Sequence, residues 1–192
     1  MSIRNTLQSI FKEHEKVAHA SFVPKQIDVL EKITKTIYLA FKRGNKLLLC
    51  GNGGSAADSQ HIAAEFIVRF KRERRSLPAI ALTTDTSVLT ATANDYDYKF
   101  IFSRQVEGHA RKGDVLIAIS TSGNSPNILH AAITAKKMGV SVIGFTGASG
   151  GKLKDGTDLC FCAASSKTPH IQEMHITALH AVSEAVEDQL FK

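Results

Sequence analysis

Apolar residues recur along this chain with two different periods, and the change between them divides it. Residues 4–20 carry Ile10, Phe11 and Val17, with Ile3 and Leu7, at helical spacing. Pro24 ends that pattern and opens a second helix over 25–43, with Ile27, Leu30, Ile33, Ile37 and Phe41 on one side and Gly44 at its end. From Lys46 short apolar runs appear at Leu47–Cys50, Ala79–Leu82, Val115–Ile119, Val140–Phe145 and Leu159–Ala163. Helical stretches separate them: Ser55–Arg69, Ser87–Ala93, Phe100–Ala110, Ser125–Met138 and Pro169–Phe191. Continuous apolar strands alternating with amphipathic helices predict a parallel sheet covered on both faces. The expected fold is therefore α/β, a three-layer sandwich around five parallel strands. Residues 1–44 are an N-terminal helical arm, a cap or an oligomer-forming piece, and 45–192 are the domain proper.

In such a sheet ligands bind beyond the carboxyl ends of the strands. Three polar or glycine-rich turns end strands here, at 51–55, 120–125 and 146–151. In the first, Gly51-Asn52-Gly53-Gly54, Ser55 is expected to cap the following helix with its hydroxyl. The second, Ser120-Thr121-Ser122-Gly123-Asn124-Ser125-Pro126, clusters hydroxyls before a helix whose N-cap is Ser125 and whose first residue is Pro126. Exposed amides at a helix N-terminus suit phosphate; an ordinary hydroxyl-rich turn has the same composition. Neither turn is a Walker A motif or a G-x-G-x-x-G, so no nucleotide cofactor is indicated. No G-x-S-x-G nucleophile elbow occurs either.

His61 and Glu65 stand four residues apart on one helix face, half a metal site or a surface contact. In the last helix Gln172, His175 and His180 fall near one side. Gln172 and His180 are ~12 Å apart along a helix axis, so they share an ion only by leaning inward or across subunits. His175 reads as a packing histidine. Asn94-Asp95 offers an amide and a carboxylate to a sugar, or an Asx turn. His14, His19, His109, His130 and His170 show no partner pattern.

Composition narrows the class. With 192 residues and 43% hydrophobic content the chain supports a core of its own. It has no run near the ~20 apolar residues of a membrane span, and its N-terminus lacks the apolar stretch of a secretory signal. The three cysteines, Cys50, Cys160 and Cys162, suit a reducing cytoplasm, with Cys160 and Cys162 as small buried side chains. The formal charge of +6 is diffuse except at Lys71-Arg72-Glu73-Arg74-Arg75, which reads as a solvated connection rather than a nucleic-acid patch.

These motifs together resemble the sugar isomerase (SIS) domain family and, within it, the bacterial phosphoheptose isomerases. The resemblance rests on Cys50–Ser55, His61–Glu65, Asn94-Asp95, Ile119–Ser125, Ile171–His175 and His180, and it covers nearly the whole chain. It implies a flavodoxin-like sheet order and the isomerisation of sedoheptulose 7-phosphate to D-glycero-D-manno-heptose 7-phosphate, which feeds lipopolysaccharide core or capsule. It implies one zinc per subunit on His61, Glu65, Gln172 and His180, with Glu65 and His180 catalytic. It places the phosphate at Ser120, Thr121, Ser122 and Ser125, and the sugar at Asn52, Gly53, Gly54, Ser55, Glu65, Asn94, Asp95 and Gln172. It also implies a cytoplasmic homotetramer whose active sites form at subunit contacts, with a small sugar phosphate as its ligand and neither nucleic acid nor membrane as partner. Relatives place Arg, in some cases after Asp, before Ile-Gln-Glu; here Pro169 and His170 stand instead. A non-catalytic relative that binds the replication initiator DnaA is the alternative, and it lacks the acid and histidine matching Glu65 and His180.

Overall fold

A computed structural model describes residues 2–191. Two long helices come first, α1 (Ile3–Ser21) and α2 (Pro24–Lys42). The sheet follows as β1 (Leu47–Cys50), β2 (Ala79–Ala81), β3 (Val115–Ile119), β4 (Ser141–Thr146) and β5 (Leu159–Cys162). Between and after the strands run α3 (Gly54–Ile67), α4 (Thr86–Asp95), α5 (Ser103–His109), α6 (Pro126–Lys137), α7 (Gly151–Asp155) and α8 (Thr168–Leu190). All strand pairs are parallel, in the order β2-β1-β3-β4-β5, with Leu48 opposite both Ile80 and Leu116. This is the flavodoxin-like order, and the chain reverses direction across the sheet between β1 and β3.

The strands are apolar on both faces because each face is covered. Leu47, Leu49, Ile117 and Phe145 point into one core with α2, α3, α8 and the end of α1. Leu48, Cys50, Leu116 and Val142 point into the other, with α5, α6 and α7. Each fully buried Leu or Ile contributes about 1.5–3 kcal/mol, so these two layers hold the sheet. The helix α2 lends Leu30, Ile33, Ile37, Ala40 and Phe41 to the first core. By contrast α1 buries only Val17 and Ser21, and Ile3 and Phe11 are 82% and 64% exposed.

Two expectations are corrected here. The predicted helix over 100–110 breaks into a 3₁₀ turn at Tyr98–Phe100 and α5. The 71–75 run is not simply solvated: Arg74 is buried, 2.8 Å from the equally buried Glu187, and also donates to the Glu65 and Phe66 carbonyls. Lys71 and Arg72 pair with Glu184 and Asp188. The run fastens the loop after α3 to α8, and α8 matches its charge with acids. Among the described residues no helix is long and apolar enough to cross a membrane.

Candidate active site

The turns after β1 and β3 are neighbours because their strands are neighbours, at the point where the sheet order reverses. Together they wall one cleft of about 230 Å³. Asn52, Gly53, Gly54 and Ser55 come from the first turn, Ser120, Thr121 and Ser125 from the second, and Thr168 and Gln172 from α8. The third turn props up the second. Gly147 N donates to the Thr121 carbonyl, Leu153 N to the Gly123 carbonyl and Lys152 N to the Asn124 side chain. Gly123 has φ +65° and lies so close to the Gly150 carbonyl that no Cβ fits.

Inside the serine turn the hydroxyls bind one another. Ser120 Oγ is 2.9 Å from Ser125 Oγ and 3.5 Å from Ser122 Oγ, which accepts from Asn124 N at 3.1 Å. Ser125 is the N-cap of α6 and Pro126 its first residue, but Ser125 makes no side-chain capping bond. Its hydroxyl is turned to Ser120 instead. Nor does Ser55 cap α3: the position before that helix is Gly53, at φ +55°, and Ser55 is buried in the first turn. The first-turn amides are partly satisfied in other ways, Ser55 N and Ala56 N by the Asn52 and Gly53 carbonyls and Ile128 N by the Asn127 side chain, so the two helix N-termini offer an anion chiefly their dipoles.

Asn52 is held by three contacts. It exchanges two amide hydrogen bonds with Asn127, at 2.8 and 3.0 Å, and accepts from the Tyr98 hydroxyl at 3.3 Å. Nothing in the local sequence pattern marks Tyr98 or the cleft residue Thr168 as part of this site, and for Asn127 the available signal is only a polar residue just inside a Pro-opened helix. Asn94 and Asp95 are exposed in the last turn of α4, bonded to each other at 2.8 Å and outside the cleft lining.

A second constellation lies further along α3 and α8. His61 Nε2 is 2.8 Å from His180 Nε2 and 3.2 Å from Glu65 Oε1. The donor atoms of the three residues all lie within 4.8 Å of one another. His180 thus reaches His61 and Glu65 within one chain. Gln172 stands elsewhere, with its amide so close to Gly54 that a Cβ there would be 2.6 Å from Nε2. Two imidazoles and a carboxylate are a donor set that zinc takes while keeping a position open, so the trio fits a metal. Seven residues separate Gly54 from His61, ~10 Å of helix, and the trio does not line the cleft.

His175 is buried beneath this end of the sheet. Its Nε2–H donates to the Thr146 carbonyl at 3.0 Å while Nδ1 is buried with no partner among the described residues. Burial pushes its pKa down to about 4, so the ring is neutral. Cys160 and Cys162 are half-buried rather than buried, with sulfurs 3.9 Å apart, and all three cysteines are free.

A family model described as the SIS domain matches residues 11–147. A phosphoheptose isomerase of Roseiflexus sp. (strain RS-1) is 57% identical over 169 residues, covering 88% of this chain and 84% of that relative. One from Aliarcobacter butzleri is 51% identical over 180 residues, covering 92% and 95%. The solved structure of a phosphoheptose isomerase from Neisseria gonorrhoeae superposes with a TM-score of 0.92 at 36% identity, covering 97% of this chain and all of that one.

Proposed function

The chain belongs to the SIS domain family and, within it, to the phosphoheptose isomerases, and on that premise we propose that it converts sedoheptulose 7-phosphate into D-glycero-D-manno-heptose 7-phosphate through an enediol. The observation that carries the mechanism is the meeting of His61, Glu65 and His180 from two helices. An aldose–ketose isomerase must move one proton between neighbouring carbons and another between their oxygens. The Glu65 carboxylate takes a proton from C1 of the ketose and returns it to C2. His180 carries the hydroxyl proton from O1 to O2. His61 orients both partners.

The phosphate is assigned to Ser120, Thr121, Ser122 and Ser125, where hydroxyls now paired with one another can turn to phosphate oxygens and the α6 N-terminus adds its dipole. Gln172 and the Asn52–Ser55 turn face the sugar across the same cleft. Asn94 and Asp95 are kept as sugar contacts only from a neighbouring subunit, since both are exposed outside the cleft. His61, Glu65 and His180 would hold zinc, and Gln172, which lies in the cleft beside Gly54 rather than beside the trio, would be the fourth ligand only from a neighbouring subunit; the ion would polarise the substrate carbonyl.

The assembly is read as a homotetramer in which one subunit's trio closes another's cleft. The separation of trio and cleft along α3 supports this, as do the exposed Ile3, Leu7, Ile10 and Phe11 of α1. The setting is read as cytoplasmic, in keeping with three free cysteines, and the product as a precursor of lipopolysaccharide or capsule heptose. The DnaA-adaptor alternative is not supported: the relatives named above are isomerases, and Glu65 and His180 are both present.

Incubation with sedoheptulose 7-phosphate, followed by NMR with and without chelator and added zinc, should show the aldose phosphate accumulating. Absence of the aldose in every state would overturn the assignment.

A further inference from the structure

A second His–His–carboxylate group stands away from the cleft, on the seam between α1 and α8. His14 Nδ1 is 2.7 Å from Glu173 Oε2, and His170 Nδ1 is 3.2 Å from that same oxygen. The three donor atoms lie within 4.8 Å of one another. The rings are not stacked: they are inclined at 55° with centroids 6.2 Å apart, and both turn a nitrogen to one point. The His170 side chain is only 9% exposed, and its other nitrogen faces Glu13 Oε2 at 3.8 Å. Glu13 is itself held by Lys167 at 2.6 Å.

We propose that His14, His170 and Glu173 form a second divalent-cation site, suited to zinc-like ions, that clasps α1 onto the first turns of α8. The donors are the nitrogen and carboxylate types that zinc selects, and they arrive from two helices rather than from one exposed face. A tetrahedral ion with bonds of about 2.0–2.1 Å would spread its donors to about 3.3 Å. The His170–Glu173 separation of 3.2 Å is already close to that value, the His14–Glu173 contact of 2.7 Å would open, and the two ring nitrogens would settle within the 4.8 Å that bounds the group. The Glu13 carboxylate lies 3.8 Å from the second nitrogen of His170, where a short closing movement would supply the outer hydrogen bond that orients a ligating imidazole. The clasp has a mechanical purpose as well. The first half of α1 buries nothing, whereas α8 carries Thr168 and Gln172 into the cleft. An ion on the seam ties the loosest helix to the one that shapes the substrate site.

The full-length chain, stripped with chelator, is titrated with zinc, and bound metal per chain is measured after gel filtration. In a background where H61A and H180A disable the first group, one equivalent of zinc should still bind, and adding H14A should remove it. Cobalt(II) in the same background should give the visible absorption of a four-coordinate site, lost with H14A. A background that binds no zinc, or binding that survives H14A, overturns the proposal. His14 is partly exposed, and H14Q serves as a second variant with little risk to folding. Zinc binding in the H61A/H180A background does not depend on turnover, so failure of the seam site and failure of the isomerase reading are told apart.

Discussion

The two ends of the sheet treat polar side chains in opposite ways. At the amino end Asp114 is buried and fully partnered: Oδ1 accepts from Lys46 N and Asn45 Nδ2, and Oδ2 from Arg111 N and Lys46 Nζ. Burial alone would raise its pKa, yet these donors outweigh it and hold the carboxyl below its usual range. The starts of β1 and β3 are pinned together by this one group. At the carboxyl end, Ser120, Ser122 and Ser125 share hydroxyl contacts, and Asn52 pairs with Asn127. Such neutral bonds are worth only about 0.5–1.5 kcal/mol net, so a phosphate bound there, as proposed, would replace them at small cost. The first end is saturated for stability, and the second is left exchangeable for a ligand.

That contrast can be broken from either side. Glu65→Gln and His180→Ala should each lower turnover by about 10²–10⁴-fold, with thermal unfolding little changed; near-parent rates would remove the residue from the mechanism. Asp114→Ala should do the reverse, costing about 3–5 kcal/mol in denaturant unfolding because Lys46 loses its buried partner, while the KM of the folded enzyme stays the same. A marked rise in KM would mean the two ends are not separable.

His175 sharpens the comparison through pH. Its folded pKa is pushed down to about 4 by burial, whereas an unfolded histidine titrates near ~6.5. Between those values the unfolded chain binds the extra proton, so stability falls as pH drops from about 6.5 to about 4, by on the order of 3 kcal/mol. His175→Gln should flatten that slope in urea melts across the window. The smallest effect is expected at Ser122→Ala: loss of one hydroxyl to a phosphate should weaken substrate binding about tenfold, read by calorimetry with unchanged stability.

Much of this was legible in the chain. Leu47–Cys50 and Val115–Ile119 announce doubly covered strands because nothing polar interrupts them, and the hydroxyl-rich turn stands out because it follows such a strand. What stayed hidden depends on distant partners. Arg74 looks solvated within a charged run, and only the approach of α8 shows it buried on Glu187. His14 and His170 seem isolated until α1 crosses α8. Local capping rules favoured Ser55 and Ser125 as side-chain caps, but Gly53 supplies the left-handed turn before α3, and Ser125 finds Ser120 instead. His180 was eight residues from Gln172 on paper; the helix keeps that spacing, and α3 meets the two at different levels.

We propose that the cleft at the strand ends and the His61–Glu65–His180 trio are two halves of one active site, joined between subunits. Co-refolding tests this directly. A chain carrying E65Q keeps an intact cleft, and a chain carrying S120A, S122A and S125A keeps an intact trio. Refolded together, the two inactive variants should recover sedoheptulose 7-phosphate turnover well above either alone. A mixture no more active than its components would contradict the account and place both halves of the site in one chain.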